Sequence, residues 1–309
     1  MDKIFRGVYT ILVTPFHENG SVDEESLRSV VDFNINAGVH GLVVPANVSE
    51  FFALSDQERL QVSRIVCEQA NGRIPIILTV NGVSAYAAAE LTKTMINLGA
   101  DGIMSMPPSI KSLQSEGLFR YYEAIGEVTE VPIIVQNNIF VGSPMSPQFM
   151  VRLIDDIDHI HYIKEESDPC THVVSRILKM AKSKNNLHGI FGGKAGLHLM
   201  NEMARGVCGT MPACDIPDVH TAIWNAYENG DIVEARRLFN RLLPLLNMQS
   251  LYPLQVYKEV LKRRGVIQNA FMRNYFQTPL DVFDYRELDV ILLAIKDLMI
   301  IDGKFKDQN

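Results

Sequence analysis

Short, almost unbroken apolar runs recur along the chain. Each is followed by a stretch in which apolar residues return every three or four positions. The runs are Gly7–Val13, Gly41–Ala46, Ile74–Val80, Gly102–Met106, Pro132–Gln136, His159–Glu165, Leu187–Phe191 and Val207–Met211. Continuous apolar character over five to seven residues is what a parallel strand covered on both faces requires. The intervening stretches read as amphipathic helices. Ser21-Val22-Asp23-Glu24 has capping-box spacing ahead of Leu27, Val30, Val31 and Phe33. Ser55-Asp56-Gln57-Glu58 opens a second helix over Leu60, Val62, Ile65 and Val66, and Ser146-Pro147 opens another before Met150, Leu153 and Ile154.

Eight such units within about 220 residues predict a (β/α)8 TIM barrel, an α/β fold whose usual size is near 250 residues. A doubly wound open sheet is disfavoured, because no GxGxxG follows the first run. After the eighth unit the pattern changes. Val219–Asn229, Ile232–Leu246, Leu254–Arg264 and Tyr285–Ile301 read as helices with no strand between them. The expected division is a barrel over residues 1–225 and a C-terminal helical appendage, 226–309, packed on it without a flexible linker.

Composition narrows the partners. The chain has 309 residues, 47% of them hydrophobic, a net charge of −7 and a pI near 5.6. No basic stretch tracks a phosphate backbone, which argues against nucleic acid. No apolar run reaches the length of a membrane span, and Met1-Asp2-Lys3-Ile4-Phe5-Arg6 lacks a signal peptide's apolar region. Cys67, Cys170, Cys208 and Cys214 show no CxxC spacing, so reduced thiols and a cytoplasmic location are expected. Neither those cysteines nor His159, His161 and His172 have the spacing of a metal site.

Barrel chemistry gathers where strands end. The strand-end residues are Thr14-Pro15-Phe16, Ala46–Glu50, Asn81-Gly82, Pro107-Pro108-Ser109, Gln136-Asn137-Asn138, Lys164-Glu165, Gly192-Gly193-Lys194 and Met211-Pro212-Ala213. Lys164 is the evident nucleophile. An amine held out of water loses its proton more readily and can attack a carbonyl. Spacing alone leaves a solvated strand-end lysine open. Alternation puts Tyr162 and Lys164 on one face of the sixth strand and Ile163 and Glu165 on the other, so a reactive Lys164 points inward. Asn47, Val48 and Ser49 suit a carboxylate cradle at the start of a helix, or a simple helix cap. Gly192, Gly193 and Lys194 could meet the distal end of a substrate. A phosphate site there is weaker, since no second cation lies near Lys194 in sequence. Met211 stands among the strand-end candidates, although Met104, Met106 and Met211 are most simply core filler.

Together, Thr14-Pro15-Phe16, Ala37-Gly38-Val39-His40-Gly41-Leu42, Glu50, Gly99-Ala100-Asp101-Gly102 and Ile163-Lys164-Glu165 make the chain resemble the dihydrodipicolinate synthase / N-acetylneuraminate lyase family over essentially its whole length. The resemblance implies a lyase in which Lys164 condenses with a small 2-keto acid. It implies no cofactor and no metal, and a homo-oligomer, either a tetramer or a dimer of dimers. The departures are as informative. Ala46-Asn47-Val48-Ser49-Glu50 replaces the family's Gly-Thr-Thr-Gly-Glu. Gln136 and Ser109 stand where the two relay tyrosines fall, and Val141 where an arginine holds the aldehyde. A chain so changed is poorly equipped for lysine biosynthesis. Ala46–Glu50 and Val135-Gln136-Asn137 instead resemble the L-2-keto-3-deoxyarabonate dehydratase subset, which usually keeps a tyrosine where this chain has Ser109. The resemblance thus implies a dehydratase of a 2-keto-3-deoxy sugar acid, with Lys164 and Gln136 catalytic and Asn47, Val48, Ser49, Ser109, Asn137, Gly192, Gly193, Lys194 and Met211 around the substrate. Gln136 cannot exchange a proton near neutral pH but can orient a hydroxyl or a water. A pyruvate-dependent aldolase and a non-catalytic keto-acid-binding regulator are the alternatives.

Overall fold

A computed structural model describes residues 4–108, 114–138, 144–181, 186–273 and 278–305. The strands are β1 (Gly7–Ile11), β2 (Gly41–Val44), β3 (Ile76–Thr79), β4 (Gly102–Ser105), β5 (Ile133–Asn137), β6 (Ile160–Glu165), β7 (Gly189–Gly192) and β8 (Gly209–Thr210). Pairing in chain order closes them into a barrel of parallel strands. Between and after them run α1 (Glu24–Asn36), α2 (Asp56–Ala70), α3 (Ala85–Asn97), α4 (Ser115–Gly126), α5 (Pro147–Asp156), α6 (Cys170–Ala181), α7 (Leu199–Met203), α8 (Pro217–Glu228), α9 (Ile232–Leu251), α10 (Pro253–Arg263) and α11 (Val282–Ala294).

The chain forms two compact units. One comprises Met1–Arg6, Pro75–Gly193 and Asn201–Thr210; the other Gly7–Ile74, Lys194–Met200 and Met211–Asn309. In the first, β3 to β8 pair side by side. Tyr162 of β6 points to the barrel's lower end, where its hydroxyl accepts a hydrogen bond from the Phe5 N–H at 2.9 Å and the two rings lie 5.3 Å apart. A side chain at Gly102 would strike that Phe5 ring, its Cβ falling 2.8 Å from Cε2. A register shift between Ile133 and Ile134 lets β6 skip one position. Gln136 then stands beside Lys164 and Asn137 beside Glu165. In the second unit β1 pairs with β2, and α1 packs on α2 and α8 on α9.

Helix starts follow their caps. Ser55 accepts from the Glu58 N–H while Glu58 reaches back to the Ser55 N–H, and Ser146 caps α5 ahead of Pro147. At α1 the expected capping box at Ser21 does not form. Phe16 and Val22 pair in an isolated antiparallel bridge, Ser21 Oγ donates to Asn19, and Asp23 becomes the cap, accepting from the Ser26 N–H at 2.9 Å. β6 begins one residue later than its apolar pattern because His159 has a left-handed backbone, φ 68°. The last helix starts earlier than expected, at the Asp281–Asp284 capping box, and gives way to a 3-10 turn at Lys296–Leu298. Among the described residues no helix is long and apolar enough to cross a membrane.

Candidate active site

Lys164 sits near the end of β6, only 2% exposed, on the face it shares with Tyr162. The amine is not bare. Its Nζ lies 3.1 Å from Oε1 of Glu166, and the other oxygen of that carboxylate accepts from Gln136 Nε2 at 2.6 Å. Side-by-side register puts Gln136 next to Lys164, and alternation brings Glu166, two residues on, back to the same face. One carboxylate therefore bridges the lysine and the glutamine. Glu166 is absent from the sequence-based candidates, although its i+2 spacing from Lys164 carries the signal.

Gly193 backs this carboxylate. A Cβ built there would lie 2.4 Å from both Cγ and Oε1 of Glu166. The neighbouring Gly192 meets a different carboxylate, its Cβ falling 2.0 Å from Oε2 of Glu202. At either glycine an added side chain would force an acidic side chain to move. Asn137 faces away from the amine. Its Nδ2 donates to Glu165 Oε2 at 2.8 Å and its Oδ1 accepts from the Met145 N–H at 2.8 Å. Glu165 also accepts from the N–H and hydroxyl of Ser167, and burial raises its carboxyl pKa. Two phenols of this unit are buried behind β4: Tyr121 meets Ser105 Oγ at 3.2 Å, Tyr122 donates to the Ser105 carbonyl, and burial raises both pKa values. Ser109 and Val141 lie outside the described residues.

In the other unit, Asn47–Ser49 form a 3-10 turn directly after β2. The Ser49 hydroxyl is committed to the scaffold, donating to the Leu12 carbonyl at 2.5 Å and accepting from the Ala46 N–H at 3.0 Å. Thr14 Oγ1 donates to the Ser49 carbonyl at 2.7 Å, tying the turn to the chain after β1. What the turn offers a ligand is its leading backbone N–H groups, at Asn47 and Val48, which a 3-10 ladder does not fill. Lys194 and Ala195 have left-handed backbones, φ 48° and 55°, and buried His220 lies 3.2 Å from the Ala195 carbonyl. Met211 is buried where the chain leaves β8. Among the described residues no group of three or more His, Cys, Asp or Glu side chains could hold a metal ion.

Residues 4–294 match the dihydrodipicolinate synthetase family. The chain belongs to that family. It is accordingly a lyase of the lysine Schiff-base type. It is 28% identical over 273 residues to an L-2-keto-3-deoxyarabonate dehydratase of Azospirillum brasilense, spanning 87% of this chain and 88% of that protein. It is 34% identical over 247 residues to a 4-hydroxy-tetrahydrodipicolinate synthase of Pelobacter propionicus, spanning 79% and 83%. The crystal structure of dihydrodipicolinate synthase from Rhodopseudomonas palustris superposes with a TM-score of 0.87 at 27% identity, covering 95% of this chain and 99% of that one. Identity therefore does not choose between a dehydratase and a synthase.

Proposed function

We propose that the protein dehydrates a 2-keto-3-deoxy sugar acid through a Schiff base on Lys164, with Glu166 carrying the protons. The observation that carries this reading is the Glu166 carboxylate bridging Lys164 and Gln136. As the 2-keto acid arrives, Glu166 takes a proton from the ammonium and frees the amine to attack C2. It returns that proton to the carbinolamine hydroxyl, which leaves as water and gives the iminium. The regenerated carboxylate then removes a C3 proton, forming the enamine, and delivers it to the C4 hydroxyl as that group departs. Two waters leave in these steps, one on forming the iminium and one from C4. Hydrolysis of the conjugated iminium takes one back and frees Lys164, so the net loss is one water. Movement of a C5 proton to C3 turns the unsaturated product into the 2-keto semialdehyde. A general acid–base of this kind is worth about 10² to 10⁴ in rate. Gln136 donates to the carboxylate and aims it.

Asn47, Val48 and Ser49 remain the turn that takes the substrate carboxylate in this reading, and Lys194 a residue for its distal end. Retro-aldol cleavage would start from the C4 hydroxyl proton instead, so products decide between the two routes. The test combines borohydride trapping with a panel of 2-keto-3-deoxy acids. An adduct on Lys164 and a 2-keto semialdehyde with little pyruvate are expected, with no condensation of pyruvate and aspartate semialdehyde. Glu166→Gln should still form the adduct, more slowly, while turnover falls about 100-fold or more. Pyruvate plus an aldehyde as main products would establish the aldolase. No adduct and no turnover would favour the non-catalytic regulator. An adduct on Lys194 or Lys258 would overturn the assignment of the nucleophile.

A further inference from the structure

Glu50 ends the turn Asn47–Ser49 with a left-handed backbone, φ 54° and ψ 37°, and begins a second 3-10 turn, Phe51–Ala53. A non-glycine residue in that region persists only where its surroundings hold it. What holds Glu50 comes from more than 200 residues away in sequence. Its Oε1 accepts from Lys258 Nζ of α10 at 2.5 Å, with both side chains fully buried. Its Oε2 accepts from the backbone N–H of Arg273 at 3.0 Å. Lys258 also donates to the Phe271 carbonyl at 2.9 Å and lies 4.4 Å from the centre of the Phe16 ring. Burial lowers the pKa of this lysine while Glu50 opposes the effect.

The Arg273 side chain completes the clamp. Its guanidinium donates to the carbonyls of Gly20 and Ala53 and to both oxygens of Glu58, at 2.6 to 3.1 Å, and stacks 4.4 Å over Phe16. Glu58 is itself the capping-box residue of α2, and Arg273 lowers its carboxyl pKa to about 2. One stretch, Asn47 to Glu58, is thus fastened along its length by Lys258 and Arg273.

We propose that Lys258 and Arg273 are positioning residues for substrate binding: they hold Glu50 in its left-handed conformation and so fix the N–H groups of the Asn47–Ser49 turn. This rests on the reading above that the turn takes the substrate carboxylate. The segment from α10 to Arg273 then fixes the turn that the substrate carboxylate meets. Arginine is suited to the second post because its planar fork reaches a carboxylate and carbonyls together.

The experiment measures borohydride trapping of pyruvate on Lys164 as a function of pyruvate concentration. Lys258→Met and Arg273→Ala are each expected to raise the half-saturating concentration at least tenfold, with the rate at saturation within twofold of wild type. Trapping of hydroxyacetone, which lacks the carboxylate, should be unchanged. The double variant Glu50→Gln/Lys258→Met removes both buried charges and so guards against a misfolded single variant. It should melt near wild type yet keep the raised half-saturation. Wild-type half-saturation in the folded double variant and in Arg273→Ala would overturn the proposal, as would equal losses with hydroxyacetone. Absence of any Lys164 adduct in the wild-type enzyme would instead sink the functional reading, and this inference with it.

Discussion

Gly193→Ala isolates the placement of Glu166 from its chemistry. The new methyl would lie 2.4 Å from Cγ and Oε1 of Glu166 and 2.7 Å from Cδ. Non-bonded carbons settle near 3.5 to 4.0 Å, so the carboxylate must retreat by about 1 Å or more. It now holds Lys164 Nζ at 3.1 Å and Gln136 Nε2 at 2.6 Å. A retreat of that size, directed away from them, takes both contacts out of hydrogen-bond reach. Misplacing a reacting group by 1 Å can cost about 10²-fold in rate, and that is the expected fall in kcat. Gly193 does not have a left-handed backbone, so alanine introduces no backbone strain and the melting temperature should hold within a few degrees. The assay is steady-state dehydration together with the pyruvate dependence of borohydride trapping, whose half-saturation should scarcely move. A double-mutant cycle sharpens it. Glu166→Asp withdraws the carboxylate, so adding Gly193→Ala should cost much less than it does in the wild type. Wild-type kcat for Gly193→Ala, or additive losses in the cycle, would refute the placement.

Two further outcomes follow from buried groups. Gln136→Ala removes the donor that aims Glu166 and should lower turnover about tenfold while the iminium still forms; unchanged turnover would leave Gln136 as a strand-end filler. Asp215 is fully buried behind a Gln249 hydrogen bond of 2.7 Å, and desolvation lifts its carboxyl from 3.8 to about 7. The folded protein therefore binds that proton more tightly than the unfolded chain, so the associated stability is complete below about pH 4 and lost as pH rises through about 7. Asp215→Asn should gain stability relative to wild type at pH 8, on the order of 4 kcal/mol at most, and less than half of that, about 1.6 kcal/mol, at pH 5. Melting curves at the two pH values check this, and a pH-independent difference would contradict it.

The barrel is legible because parallel strands covered on both sides must be apolar throughout, whereas helices between them alternate with a longer period. Strand ends are less legible, because burial continues past the last ladder bond. Leu12 and Val13 are as buried as β1 itself, and only Gly209 and Thr210 of the run Val207–Met211 form β8. Ser21 failed as a cap for a tertiary reason, its chain being drawn into the bridge with Phe16. Asn137 and Lys164 both stand at strand ends, but opposite pleats separate them.

Glu166 and Lys258 escaped for different reasons, and each left a trace. Carrying the alternation of β6 one step past the strand puts Tyr162, Lys164 and Glu166 on one line, so a carboxylate beside the amine follows from the pleat. A lone buried ammonium would be costly; a carboxylate at i+2 neutralises it and gives the amine's proton a place to go. Lys258 lies on the buried stripe of α10 between Leu254 and Leu261, where helical period demands an apolar residue. A charge in such a stripe requires a counter-charge, but the stripe cannot say which. Glu50 is 208 positions away, and only the closed fold brings the two within 2.5 Å. Local period thus reports that a group is out of place, while its partner is written in the topology. For that reason the residues that hold this site together were harder to read than those expected to react in it.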